Sequence, residues 1–152
     1  DPSVRHVPRL KYPEHEIRTV IANVPTLSYL DAFDMNPYQL IEYKTSKNPW
    51  TRQMVDASQQ LLFYAAAIRA AYGTLPQTAH LVWLHTRLVT ACIDSRGIEW
   101  EEIGAGVIEL TGDAQIFPRF IVADEVDAFE LEIVRVAGEI EEAWIAYEKT
   151  RS

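Results

Sequence analysis

Two carboxylates and one amine are spaced in this sequence so that they can meet. Asp31 ends the apolar run Leu27-Ser28-Tyr29-Leu30-Asp31, and Glu42 and Lys44 lie two apart in Leu40-Ile41-Glu42-Tyr43-Lys44-Thr45. Residues two apart on a strand share a face, so Glu42 and Lys44 point the same way and Tyr43 the other. If a turn at Asn36-Pro37 folds the two runs into a hairpin, Asp31 can lie beside that pair. An acid among apolar neighbours is costly to bury unless it is paired or bound to a cation. Hard cations such as Mg²⁺ or Mn²⁺ take carboxylate oxygens and keep several waters. The three residues therefore read as a metal-and-lysine site.

The elements that must position these residues follow from pattern. Asp1 to Pro13 mixes proline and basic residues without a period and reads as an irregular lead-in. Glu16 to Val24, rich in β-branched residues, suits a strand, with a turn at Asn23 to Pro25. A second strand is expected over Thr26 to Met35 and a third over Tyr38 to Ser46. From Thr51 to Tyr72 the period becomes helical, with Met54, Ser58, Leu61, Ala65, Ile68 and Tyr72 on one face and Gly73 as the stop. Gln60 and Tyr64, four apart, are neighbours on that helix. Ala79 to Arg87 returns to a strand that is apolar on both faces and therefore covered on two sides. Leu88 to Asp94 continues it, Ser95-Arg96-Gly97 turns, and Val107 to Leu110 and Phe117 to Val122 read as two short strands. Asp124 is placed to cap a long last helix with the stripe Val126, Phe129, Ile133, Val136, Ile140, Trp144 and Tyr147. The expected fold is a single domain over residues 1–152, α/β or α+β, with a mixed central sheet flanked by helices in the order β-β-β-α-β and a long C-terminal helix.

The same residues resemble the PD-(D/E)XK nuclease superfamily in its RecB-like branch. Asp31 matches the metal-binding aspartate, Glu42-Tyr43-Lys44 the acid-any-lysine signature, and Gln60-Leu61-Leu62-Phe63-Tyr64 the Gln-x-x-x-Tyr of the following helix. The likeness covers roughly Glu14 to Arg87. Ser28 stands where a glycine is usual, and the cysteines of the iron–sulfur members are missing. The resemblance implies a restriction-endonuclease-like core and a Mg²⁺- or Mn²⁺-dependent nuclease that hydrolyses DNA phosphodiester bonds, of exonuclease type. It implies Asp31, Glu42 and Lys44 as catalytic residues, with Asp31, Glu42 and the Tyr43 carbonyl as metal ligands. Lys44 would orient the attacking water or stabilise the pentacovalent phosphate. Gln60 and Tyr64 would line the cleft and hold DNA or the lysine, where the plainer reading has them decorate a helix. Arg52 is a candidate phosphate contact, or else a solvated charge. The alternative reading is a catalytically silent nuclease fold used for nucleic-acid binding or as a scaffold; a third is an unrelated α+β interaction protein.

Composition sets limits on these readings. With 48% apolar and 24% charged residues the chain is ordinary for a globular fold, and its single cysteine, Cys92, allows neither an internal disulfide nor a cysteine-built metal site. No apolar run is long enough to span a bilayer, so a soluble, cytoplasmic protein is expected. A net charge of −8 runs against tight, independent binding to a polyanion, although much of it lies between Asp124 and Glu148. A partner protein or missing domain that supplies basic surface is therefore expected. Asp34, three residues beyond Asp31, reads as structural. His80 and His85 read as satisfied polar positions facing opposite ways, the four tryptophans as core or junction packing, and the last helical stripe as core or, alternatively, a partner-binding face.

RecB-like members place a glutamate at the opening of the first strand, and Glu14 is the candidate here, with His15 and Glu16 as competitors. No amphipathic helix is legible before Glu16, so a partial or pared-down domain is expected. A third carboxylate would help hold a second cation. We predict that Glu14→Ala lowers cleavage at limiting Mg²⁺ more than at saturating Mg²⁺ in a titration of rate against metal; equal rates at every concentration would place Glu14 on the surface.

Overall fold

Ala22 and Asn23 both adopt left-handed backbone, with φ of 47° and 67°. Two consecutive left-handed residues are what a two-residue hairpin loop requires. In the computed structural model, which describes residues 12–35, 38–93, 96–103 and 107–151 (side chains of 15–35, 38–88, 96–98 and 108–151), this turn joins β1 (Tyr12–Ile21) to β2 (Val24–Met35). Ile21 lies opposite Val24 and Pro25 sits inside β2 opposite Val20. The turn thus falls before Pro25, which the sequence pattern had placed within it. The strand starts at Tyr12 rather than Glu16, because backbone pairing with β2 carries it through residues that have no β-branched signal of their own. The Asn36-Pro37 turn, His6 in the lead-in, Asp94 and Ser95, and the side chains of Glu14, Cys92 and Trp100 lie outside the described residues.

The remaining strands complete one mixed sheet. β3 (Tyr38–Ser46) pairs antiparallel with β2 only from Met35 opposite Tyr38 to Ala32 opposite Ile41. β4 (Thr78–Ile93) runs parallel to β3, from Gln39 beside Thr78 to Ser46 beside His85. β5 (Glu99–Ile103) and β6 (Val107–Phe120) both pair antiparallel with β4. The two short strands expected near the end are the two ends of β6. Gly112, at φ +92°, carries the strand through the Thr111-Gly112-Asp113 irregularity, and the register shifts between Leu84 and Thr86 on the partner strand. β4 is central, and Leu81 and Val82, on its opposite faces, are both buried as expected for a strand covered on two sides.

The helical stretch is two helices. Thr51 Oγ1 accepts from the Met54 N–H and caps α1 (Arg52–Asp56); Ser58 Oγ accepts from the Leu61 N–H and caps α2 (Gln59–Tyr72), which ends at Gly73 with φ +87°. Ser58 sits on the apolar stripe of the sequence pattern, but its hydroxyl serves the backbone and starts a new helix instead of continuing the old one. α3 (Ala123–Arg151) starts one residue before the expected cap, leaving Asp124 and Glu125 in its first turn. α2 lies between the sheet and α3, so Tyr64 to Ile68 are all buried, whereas Met54 and Tyr72 on the expected inner face are exposed. Leu40, Leu61, Ile68 and Leu81 are fully buried in this layer, each contributing about 1.5–3 kcal/mol relative to exposure. A smaller cluster of Ala32, Ile41 and Val82 occupies the other sheet face. The chain is thus a mixed α+β fold, and no helix among the described residues is long and apolar enough to cross a membrane.

One buried cation ties three of these elements together. Arg119 of β6, 5% exposed, donates from Nη1 to the Val55 and Ser58 carbonyls at 3.2 and 2.9 Å and from Nη2 to Glu125 Oε2 at 2.8 Å. It holds the α1–α2 junction and the start of α3 to the sheet. Arg119→Met should destabilise the protein by about 2–4 kcal/mol, because two helix-end carbonyls and a carboxylate lose their donor. Arg119→Lys should recover only a part, since an ammonium lacks the planar fork. Urea unfolding of the two variants measures this, and a loss below 1 kcal/mol in the methionine variant would contradict it.

Candidate active site

The site forms where two strands part company. Strict alternation along β2 would put Leu30 and Ala32 on one face, yet Leu30 and Phe33 join the core cluster under the helices and Ala32 joins the opposite cluster. The face slips by one at Asp31, and pairing with β3 stops at Ala32 and Ile41. Past that point the backbone of β3 needs another acceptor. The Asp31 carboxylate supplies it: Tyr43 N–H donates to Asp31 Oδ2 at 2.8 Å.

Glu42 and Lys44 share the helix-facing side of β3, next to Leu81 and Trp83 of β4. Glu42 is 5% exposed, and Lys44 Nζ lies 3.0 Å from its Oε1. Lys44 Nζ also donates to Gln60 Oε1 at 2.6 Å, and Gln60 Nε2 donates to the Tyr64 hydroxyl at 2.7 Å. Because an ammonium only donates, this pairing fixes which end of the Gln60 amide faces Lys44. The structure thus brings Asp31, Glu42, Lys44, Gln60 and Tyr64 into one contiguous network, with Asp31 linked through the Tyr43 amide. Tyr43 turns its side chain to the other sheet face, half-exposed. Trp50 packs against the core cluster, in line with the core-or-junction reading, and its ring centroid is 6.0 Å from Lys44 Nζ, at the outer reach of a cation–π contact. The only sequence sign of that contact is an aromatic just ahead of the helix that carries Gln60.

Other candidates fall elsewhere. Arg52 spends its guanidinium on Asp56 and the Pro118 carbonyl, outside the Lys44 network. Asp34 lies opposite Gln39, three residues beyond Asp31. Ser28, in the place of the usual glycine, is buried with no hydrogen bond to its Oγ. Glu14 lies in β1 between Pro13, opposite Ala32, and His15, opposite Leu30, so its backbone is across from Asp31. His85 is satisfied by Thr111 Oγ1 at 2.7 Å, as expected. His80 is not: its Nδ1 is buried without a partner, and burial pushes its pKa down.

Electrostatics single out Glu42. Burial raises its pKa above the ordinary 4.5, the Lys44 hydrogen bond opposes that, and the charge of Asp31 adds to it. Burial likewise raises the Tyr64 hydroxyl, with Glu42 adding to it. Glu42 Oε2 is buried and has no hydrogen-bond partner. Such an orphaned carboxylate oxygen, beside a second carboxylate and the Tyr43 backbone, fits a hard divalent cation. Among the described residues no three His, Cys, Asp or Glu side chains gather into a full cage. Mg²⁺ commonly takes one or two carboxylates and fills its shell with water and substrate phosphate. No protein-family model matches this sequence, and no curated protein does.

The Glu42 shift carries a stability consequence. A carboxyl group whose pKa is higher folded than unfolded stabilises the fold while protonated and loses that contribution as pH rises through its folded value. In EDTA, the Glu42 contribution to wild-type stability should therefore fall as pH rises above the ordinary 4.5, and Glu42→Gln should be the more stable form at pH 8, with the gap narrowing as pH falls toward that ordinary value. Mn²⁺, which favours the ionised form, should restore wild type selectively. Thermal unfolding across this pH range is the check, and a Glu42→Gln variant less stable than wild type at pH 8 in EDTA would refute the account.

Proposed function

We propose that this protein is a divalent-metal-dependent nuclease of the PD-(D/E)XK type that hydrolyses DNA phosphodiester bonds, acting as an exonuclease. The observation that carries the reading is the convergence of Asp31, Glu42 and Lys44 at the point where β2 and β3 diverge, with Gln60 and Tyr64 of α2 closing the network. Support for the matching core comes from three antiparallel strands, a helix and a fourth strand parallel to the third.

Asp31, Glu42 and the Tyr43 carbonyl would hold Mg²⁺ or Mn²⁺. A bound cation would lower the pKa of water and stabilise charge building on the phosphate. The chain's own residues do the positioning. Lys44 has three N–H donors, of which Glu42 and Gln60 take two; the third can reach a non-bridging phosphate oxygen or orient the attacking water. Gln60, anchored by Tyr64, fixes where that third donor points. Asp31 keeps one oxygen beyond the one bound to the Tyr43 amide, and Glu42 keeps Oε2.

The charge of the chain is compatible with this reading. α3 carries nine acids against three bases, which is six of the eight net negative charges, and the rest of the chain is at −2 with Asp31 and Glu42 included. The part that would meet DNA is thus close to neutral once a divalent cation is bound, and affinity for DNA should be weak without one.

End-labelled linear and circular DNA, incubated with Mg²⁺, Mn²⁺ or EDTA, tests the proposal. Metal-dependent loss of the linear substrate alone is expected. Lys44→Ala should lower the rate by about 100-fold or more while retaining most Mn²⁺ affinity by calorimetry, whereas Asp31→Ala and Glu42→Gln should lose both. Metal binding without cleavage of any substrate would favour the silent scaffold; unchanged Mn²⁺ affinity in both acid variants would reject the site.

A further inference from the structure

α3 is longer than the body it packs on. Its apolar positions recur at steps of three and four, with Val126, Ile133, Ile140 and Tyr147 at one seam position and Phe129, Val136 and Ala143 at the other. Such a heptad seam is the pattern by which one helix packs along another. The first part of the seam is used: Val126 is fully buried, and Phe129 and Ile133 are half-buried, Phe129 edge-on to Phe63 of α2. From Val136 to Tyr147 the same seam continues for roughly three turns and is left largely exposed. Ile140 is 65% exposed, Trp144 58% and Tyr147 52%. This overturns the expectation that the whole stripe is core packing. Beside the seam, the first residues of β2 and the side of α3 bound an apolar groove into which Leu27, Val136 and Ile140 project.

The charges around the seam restrict what can cover it. Glu132 and Glu139 flank it on one side and share Arg135, and Glu141 and Glu148 lie farther round on the other side. A second copy of this chain would set one strongly acidic helix against another, and an anionic bilayer would be repelled in the same way. A helix with apolar seam residues flanked by lysine and arginine meets both the period and the charge.

We propose that α3, from Val136 to Tyr147, docks a basic amphipathic helix of a partner protein, packed along the seam with its cations against Glu132, Glu139 and the acids beyond. The proposal stands independently of the nuclease reading, since it uses no residue of that site.

A fluorescein-labelled synthetic peptide of three heptads, with isoleucine and leucine at the seam and lysine on both flanks, tests it by anisotropy against the full chain. Two control peptides keep the lysines with the apolar positions scrambled, or keep the seam with glutamate on the flanks. The lysine-flanked peptide should bind at least about ten-fold more tightly than either control and weaken with added salt. Ile140→Asp should reduce its affinity by about ten-fold, while Leu131→Asp, at an exposed position off the seam, should leave it unchanged; unfolding curves of both variants verify that the body stays folded. Equal binding of the glutamate-flanked or scrambled peptide would overturn the proposal. So would a stable dimer in light scattering that the lysine-flanked peptide does not dissociate, or tighter binding to phosphatidylserine vesicles than to the peptide.

Discussion

A carboxylate buried to 5% exposure against an apolar sheet layer is the constraint to which the centre of this molecule answers. Ionised Glu42 in that position is unfavourable unless positive charge and hydrogen-bond donors stand close to it. Lys44, two residues on and on the same face, supplies the charge at 3.0 Å. Lys44 in turn is half-buried and must satisfy its other donors, which brings in Gln60, and the remaining end of the Gln60 amide brings in Tyr64. One buried acid thereby fixes the approach of α2 to β3. Its second oxygen is left without a hydrogen-bond partner, a cost of burial that a hard cation would offset.

The architecture around this point is arranged to leave it open. An ordinary hairpin would have continued the β2–β3 ladder past Ala32 and Ile41 and paired the backbone of Asp31. Instead the alternation slips at Asp31, the strands separate, and the Asp31 side chain takes over the Tyr43 amide. The break between α1 and α2 has a comparable effect. Ser58 begins a new helix, and Arg119 secures the Val55 and Ser58 carbonyls from the sheet below. Gln60 lies two residues beyond Ser58, so a buried arginine on β6 indirectly sets the height at which Gln60 meets Lys44.

Charge is partitioned along the chain rather than spread over it. The acids that weigh against a nucleic-acid partner belong to α3, which packs against α2 through Arg69 with Asp127 and Glu130 and contributes no group to the Lys44 network. The formal balance of −8 therefore describes two surfaces with different requirements. One is nearly neutral and holds the proposed catalytic groups. The other is an acidic helix whose apolar seam runs on after its contact with the body has ended.

What the sequence by itself determined was whatever short-range periodicity governs. The placement of Glu42 and Lys44 on one face and Tyr43 on the other follows from the two-residue repeat of a strand, and the adjacency of Gln60 and Tyr64 from the helical repeat. The double burial of β4 and the stop at Gly73 were legible for the same reason. The tertiary structure decided what depends on distant partners. Ser58 could have continued a helix, and it caps one because Arg119, far along the chain, stabilises the break. Thr111 to Asp113 interrupts the ladder, and β6 runs on through it because β4 pairs with Leu110 on one side and Ala114 on the other. The stripe on α3 is equally apolar at Val126 and at Ile140, and only the extent of α2 and the sheet decides that the first is core and the second surface. Residue pattern states which groups could share a face; the lengths and crossings of the elements settle which faces meet.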